Sequence, residues 1–177
     1  GASFIEFFGE EAKRVYGETI PGHQRDKRIM VIKQPIGVAA SITPWNFPNA
    51  MITRKCAPAL AVGCPVVIKP SELTPFSCLA LIELANRAGM PKGVFSLIHG
   101  GTRKVGQALV AHPLIKAVGF TGSTGGGRAL FDIAVSRPEP IPFYGELGSN
   151  NPVFLLPKAM GEKAADIAKG WVGSLTM

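Results

Sequence analysis

Five short apolar runs recur along this chain, and stretches with helical spacing fill the gaps between them, an alternation that leaves few ways to fold it. The runs are GVAASI (37–42), PVVIK (65–69), VFSLI (94–98), KAVGF (116–120) and NPVFLL (151–156). Each is too short for a stable helix and nearly continuous in its apolar character, as a strand buried on both faces must be. Between and after them lie MITRKCAPALAVG, PFSCLALIELANRAG ending at Gly89 before Pro91, KVGQALVAH, STGGGRALFDIAVS and EKAADIAKGWVGSL, whose apolar residues repeat with helical periodicity. Parallel strands need crossovers long enough to hold a helix, and these gaps have that length. The expectation is an α/β fold: a doubly wound, Rossmann-like parallel sheet with helices on both faces, whose ligands gather at the carboxyl ends of the strands.

The beginning of the chain does not share this rhythm. A helix is expected over about Ala2 to Tyr16, followed by the polar segment GETIPGHQRDKR and an additional strand, IMVIKQP, assigned to another layer. The division expected is therefore 1–35 for the helix and extra strand and 36–177 for the wound sheet. With 177 residues, 46% of them hydrophobic, the chain can bury one substantial core. No apolar run has the length of a membrane span, and the opening GASFIEFFGEEAKR carries acids where a signal peptide needs bases, so the chain reads as soluble and cytoplasmic. Cys56, Cys64 and Cys78 are an odd number without CxxC spacing; buried, reduced thiols are expected, with neither a disulfide framework nor a metal site.

The net charge of +7 is uneven: residues 1–35 hold six basic and five acidic side chains, the remainder thirteen and seven. The bases are scattered among apolar segments, with two tryptophans and two tyrosines as the stacking platforms beside them, so an anionic small ligand fits better than nucleic acid.

Polar residues at the strand ends suggest where such a ligand sits. In ITPWNFP (42–48), Pro44 and Pro48 withhold two backbone donors and bias Thr43 and Phe47 away from helical angles. The result is a stiff connector able to aim Asn46, although a turn asparagine bonding its own backbone fits the same pattern. Lys69 ends a strand and runs into PSELTP, which places Ser71, Glu72 and an ammonium together at the mouth of the sheet. They suit a sugar's hydroxyls, or a loop ion pair ahead of a helix beginning near Pro75. KAVGF runs into TGSTGGGRAL, with Ser123 or Thr124 as helix cap and open amides that favour phosphate, while Gly125 to Gly127 equally permit close helix packing. The spacing G-x-G-x-x-G occurs nowhere. In FYGELGSNNP, Glu146 lies among apolar residues and glycines, where desolvation would suit it to general-base work.

In this order and spacing, PWNFP, KPSELTP, FTGS and GELG resemble the aldehyde dehydrogenase superfamily, and the resemblance runs through essentially the whole chain. It implies the NAD- or NADP-binding domain of a longer, homo-oligomeric enzyme, with IMVIKQP in its oligomerisation sheet and a small aldehyde as substrate. It makes Asn46 the donor to the oxyanion formed when a cysteine attacks the aldehyde, and Glu146 the base that activates water against the resulting thioester. Cofactor contacts are implied for Ile42, Thr43, Trp45, Lys69, Ser71, Glu72, Gly106, Phe120, Thr121, Gly122, Ser123, Leu147 and Gly148. Lys69 and Glu72 would meet the adenosine ribose and Ser123 the pyrophosphate, with Thr121, Leu147 and Gly148 near the nicotinamide. ITRKCAPAL resembles the succinate-semialdehyde branch, in which Arg54 would hold the substrate's far carboxylate; RALFDIAVSRPEPIP and GSNNPVFLLP are closer to the ketoglutarate-semialdehyde branch. Both imply an aldehyde with an acidic tail. Glu146 argues against the acylating enzymes that use coenzyme A.

Two features depart from that pattern. The family's nucleophilic cysteine lies beyond Glu146, and no cysteine follows Glu146 here. The expectation is a chain that binds the cofactor without oxidising aldehydes by itself, whether as part of an enzyme or as a nucleotide-binding or interaction module. In HGGTRKVG, Thr102 stands where many members have glycine, and Arg103 and Lys104 follow. These cations favour a 2′-phosphate whereas Glu72 favours the free hydroxyl, leaving NAD and NADP both open.

Overall fold

The computed structural model describes residues 1–176. Its centre is a five-stranded, wholly parallel sheet of β3 (Val38–Ile42), β4 (Val66–Lys69), β5 (Phe95–Leu97), β6 (Ile115–Thr121) and β7 (Phe143–Glu146), in the order β5-β4-β3-β6-β7. Helices α2 (Pro48–Ala61), α3 (Pro75–Arg87), α4 (Arg103–Ala111) and α5 (Thr124–Val135) make the crossovers. The chain winds outward from β3 to β5, returns to β6 on the other side of β3, and continues to β7. Reversing direction puts the later helices on the opposite face and leaves a switch point between β3 and β6.

Strand pleat divides the core accordingly. Ala40, Ile42, Val118 and Phe120 point toward Leu109 and Val110 of α4 and Leu130 and Ala134 of α5. Val66 and Ile68 point the other way, against Ile52 and Cys56 of α2 and Cys78 of α3. Ile68, Val118 and Val110 are fully buried, each contributing about 1.5–3 kcal/mol by leaving water. Cys56, Cys64 and Cys78 are all free and buried.

Several boundaries differ from those read from the sequence. The first helix, α1, spans Ala2–Glu11 and closes in a 3-10 turn, Ala12–Arg14, short of Tyr16. Of IMVIKQP only Ile29–Val31 (β2) is strand; it pairs antiparallel with Glu18–Ile20 (β1), a strand whose polar surroundings conceal it in the sequence. Helix α2 begins at Pro48 rather than Met51, with proline at its first position where no donor is needed, and it continues through Pro58. NPVFLL forms no strand: residues 151–156 are exposed and irregular, leading into α6 (Pro157–Leu175). The position beside β6 belongs instead to β7, paired from Val118–Phe143 to Thr121–Glu146. The sequence points to NPVFLL and not to FYGE, whose run is short and interrupted by Gly145; the partner strand β6 is what makes FYGE a strand.

Local turn chemistry behaves as expected at α5, where Ser123 is the cap and its Oγ accepts from the Gly126 amide at 3.2 Å. Replacing it by alanine should lower stability by about 1 kcal/mol, readable as a shifted urea midpoint with unchanged slope. Gly127, next along, packs against Leu147: a β-carbon there would lie 2.1 Å from Leu147 Cδ2, so that side chain would have to shift.

Candidate active site

The switch point opens into a cleft of about 370 Å³ at the carboxyl ends of β3, β4 and β6. Ile42 and Phe120 form its apolar floor, and Lys69, Glu72, Thr102, Arg103, Gln107 and Ser123 bring polar groups to it. Lys69 is largely buried, its Nζ donating to the Pro70 carbonyl at 3.2 Å and lying 3.7 Å from Glu72 Oε2. The sequence-predicted ammonium–carboxylate pair is thus present.

The donor set fits a dinucleotide. The N-termini of α4 and α5 both open on the cleft through Arg103 and Gly125–Gly126, presenting amides and positive dipole ends to one space. Two glycines border that space: a β-carbon on Gly106 would make ordinary contact with Ile42 Cδ1 and Lys69 Cδ, at 3.6 and 3.8 Å, and one on Gly125 would meet nothing within 4 Å.

On the opposite side of β6 the next residue faces away from the cleft. Thr121 accepts a hydrogen bond from Lys55 of α2 and donates one to Glu146 Oε2 at 3.0 Å. Arg54 Nη1 lies 3.4 and 3.3 Å from the two carboxylate oxygens, and Lys55 Nζ 3.9 Å from Oε2. Glu146 is therefore not desolvated among apolar groups as the sequence suggested. Its side chain is 56% exposed at the end of edge strand β7 and faces two cations. Burial holds Lys55 below the ordinary value of 10.5, and Arg54 adds to the effect, while Glu146 pulls the other way. Arg54 is braced by the Phe4 ring, 5.7 Å from its guanidinium carbon, and its buried Nε has no partner among the described residues.

Asn46 occupies the connector from β3 to α2. It is exposed, and its side chain has no hydrogen bond to any described residue, unlike a turn asparagine bonded to its own backbone. The backbone beyond it is constrained, but not in the extended form expected ahead of Pro48. Phe47 lies at φ 54°, ψ 54°, because the chain must turn from the strand end into α2.

The aldehyde dehydrogenase family model matches residues 1–173. The chain belongs to the aldehyde dehydrogenase family. It is 58% identical over 158 residues to glutarate-semialdehyde dehydrogenase of Pseudomonas aeruginosa, covering 89% of this chain and 32% of that protein. It is 55% identical to the NADP(+) succinate-semialdehyde dehydrogenase of Escherichia coli, over 93% of this chain and 34% of that one. The crystal structure of succinate-semialdehyde dehydrogenase from Burkholderia pseudomallei superposes with a TM-score of 0.83 at 51% identity, covering 88% of this chain and 32% of that chain. The chain thus spans about a third of the length of the curated relatives it matches.

For this aldehyde dehydrogenase chain, six of the residues singled out from sequence, Ile42, Lys69, Glu72, Gly106, Phe120 and Ser123, line one cleft. Thr121, Glu146 and Arg54 meet in the second cluster. Others lie outside both. Ser71 is buried with its Oγ accepting from the Leu73 amide at 3.2 Å, a turn contact; Thr43 is buried, its hydroxyl without a partner among the described residues; and Trp45 is exposed. Gly122 donates its amide to the Glu146 carbonyl, Gly148 donates to Thr124 Oγ1, and Leu147 packs on the core beneath α5. Gln107 and Lys55 escaped sequence reasoning. The available signal for Lys55 was a cation pair, Arg54–Lys55, inside an otherwise apolar stretch.

Proposed function

We propose that this chain is the cofactor-binding part of an NAD- or NADP-dependent aldehyde dehydrogenase that oxidises a small aldehyde with an acidic tail to the carboxylic acid through a cysteine thioester. The observation that carries the proposal is the division made by β6: Phe120 faces the cleft and Thr121 faces the Glu146 cluster, so a cofactor and the reacting carbon would meet across one strand end. The bound dinucleotide would supply the hydride acceptor. Lys69 and Glu72 would hold its ribose hydroxyls, and the amides at the start of α5 its phosphates. Asn46 would donate to the developing oxyanion from a position set in advance by its connector. Glu146 would take a proton from the attacking water, with Thr121 and Lys55 orienting the carboxylate. Arg54, with an unpartnered Nε, would receive the acidic tail, consistent with relatives named for glutarate and succinate semialdehydes. The β1–β2 hairpin of residues 1–35 would serve assembly of a cytoplasmic homo-oligomer. Among the described residues no helix is long and apolar enough to cross a membrane.

This reading takes the nucleophilic thiol from outside the segment. Burial pushes Cys56 and Cys78 up to about 12, so neither supplies a thiolate near neutrality. That observation favours a second reading, a nucleotide-binding module without chemistry of its own. Calorimetric titration of the chain should show saturable binding of NAD or NADP, and an absorbance assay with succinate semialdehyde should show no turnover. A chimera in which the chain replaces the matching segment of the Pseudomonas aeruginosa relative separates the readings. Turnover by the chimera supports the enzyme; a folded, cofactor-binding but inactive chimera leaves the module.

A further inference from the structure

We propose that Phe4 of α1 is a positioning residue for the acidic-tail site: its ring holds the Arg54 guanidinium by the face, so that the N–H edge stays free for the carboxylate of an aldehyde. The inference rests on the reading of Arg54 as the group that receives that tail.

Arg54 has little else to fix it. Its side chain is 35% exposed, its Nη1 lies 3.3 and 3.4 Å from the Glu146 oxygens, and its buried Nε has no partner among the described residues. Lys55, the next residue, is a second cation facing the same carboxylate at 3.9 Å. A long side chain held by one shared ion pair keeps much of its rotamer freedom, and ordering it when substrate arrives weakens binding. The Phe4 ring supplies the missing restraint. Its centroid is 5.7 Å from Arg54 Cζ, and the negative face of an aromatic ring attracts a cation placed over it.

Helical spacing puts the ring there. Phe4 and Phe8 lie one turn apart on α1 and are half-buried, whereas Ile5, Glu6 and Phe7 between them are exposed, so one aromatic edge of α1 packs along α2. Of the two, Phe4 meets Arg54, and Phe8 stacks edge to face with Phe7 at 5.2 Å. The kind of restraint matters as much as its presence. A carboxylate at position 4 would hold Arg54 as firmly, but by occupying its N–H donors and cancelling the charge that a substrate tail needs. An aromatic face does neither, since the guanidinium donors all lie in its plane. Two acids of α1 turn to the end of their own helix instead, Glu10 to Lys13 at 2.7 Å and Glu11 to Arg14 at 2.8 Å.

The test compares succinate semialdehyde with butanal, a neutral aldehyde of the same length, in the chimera described above, and reads the ratio of their kcat/KM values. Phe4→Ala should lower that ratio about three- to tenfold, the scale of a lost cation–π contact at a half-exposed site, with KM for the semialdehyde carrying the loss. Phe4→Leu restores apolar bulk and should not restore the ratio, whereas Phe4→Tyr keeps the ring and should hold it within about twofold. Phe8→Ala removes a neighbouring ring from the same edge of α1 and should also change it by less than about twofold. In an Arg54→Ala background, which should itself lose the preference for the acidic substrate, Phe4→Ala should add nothing. An equal loss in Phe8→Ala, full rescue by leucine, or additive effects of Phe4→Ala and Arg54→Ala would overturn the role given to Phe4 while leaving Arg54 the tail site. An unchanged ratio in Arg54→Ala would overturn the tail reading, and this inference with it. A second measurement needs neither turnover nor the chimera: nitrogen-15 relaxation of the Arg54 Nε–H group in the 177-residue chain. Its order parameter should fall in Phe4→Ala and not in Phe8→Ala, and an unchanged value in Phe4→Ala would overturn the restraint whatever the kinetics.

Discussion

Glu146→Gln in the chimera is expected to release one equivalent of reduced cofactor per site in a rapid burst and then turn over roughly 10²–10⁴-fold more slowly, the range for loss of a positioned general base. The substitution keeps the size of the side chain and an oxygen able to accept from Thr121, whose hydroxyl lies 3.0 Å from the carboxylate. It removes the group that can take a proton from water. Steps up to the thioester do not need that proton transfer, so they survive and the acyl-enzyme accumulates. The setting of Glu146 makes the test sharper than the sequence implied. Arg54 at 3.3 Å and Lys55 at 3.9 Å face an exposed carboxylate, so two cations and solvent, not an apolar pocket, surround the group to be replaced. Rapid-mixing absorbance at the reduced-cofactor band measures both phases. Disappearance of the burst would mean that Glu146 acts before the thioester forms, and its assignment as the hydrolytic base would be wrong.

Asn46→Ala in the same chimera should lower the single-turnover rate of acylation by roughly a hundredfold, about 3 kcal/mol, while changing cofactor affinity little. An oxyanion donor touches charge that develops only in the transition state, so its removal is felt in rate rather than in binding. A turn-forming asparagine would behave differently, its loss costing about 1 kcal/mol of stability through a broken local bond and leaving chemistry nearly intact. The structure favours the first outcome. Asn46 is exposed and has no local side-chain bond to lose, while the residue after it, Phe47, lies at φ 54°. An unchanged acylation rate combined with a lowered melting temperature would return Asn46 to a purely structural role.

What the sequence determined by itself is the part of this protein governed by neighbours within a turn or a strand. The apolar runs at 37–42, 65–69, 94–98 and 116–120 are strands because periodicity and turn residues act locally, and Ser123 caps α5 because its hydroxyl reaches an amide three residues away. Lys69 and Glu72 pair for the same reason, being three residues apart across a proline-bounded turn. These local pairings could therefore be read before their surroundings were known, while the roles of the motif residues came from the family resemblance. Tertiary structure decided which of them meet. The order β5-β4-β3-β6-β7 places Arg103 of α4 in one cleft with Lys69, and Arg54 beside Glu146, 92 positions later in the chain. It chose FYGE over NPVFLL as the strand beside β6, and it gave Glu146 cations for neighbours where its flanking residues suggested an apolar pocket. The pleat of β6 then sent Phe120 to the cleft and Thr121 to the opposite face. None of these is encoded in a local pattern, because each depends on which strand pairs with which, and strand pairing is a long-range choice made by burial of the whole sheet.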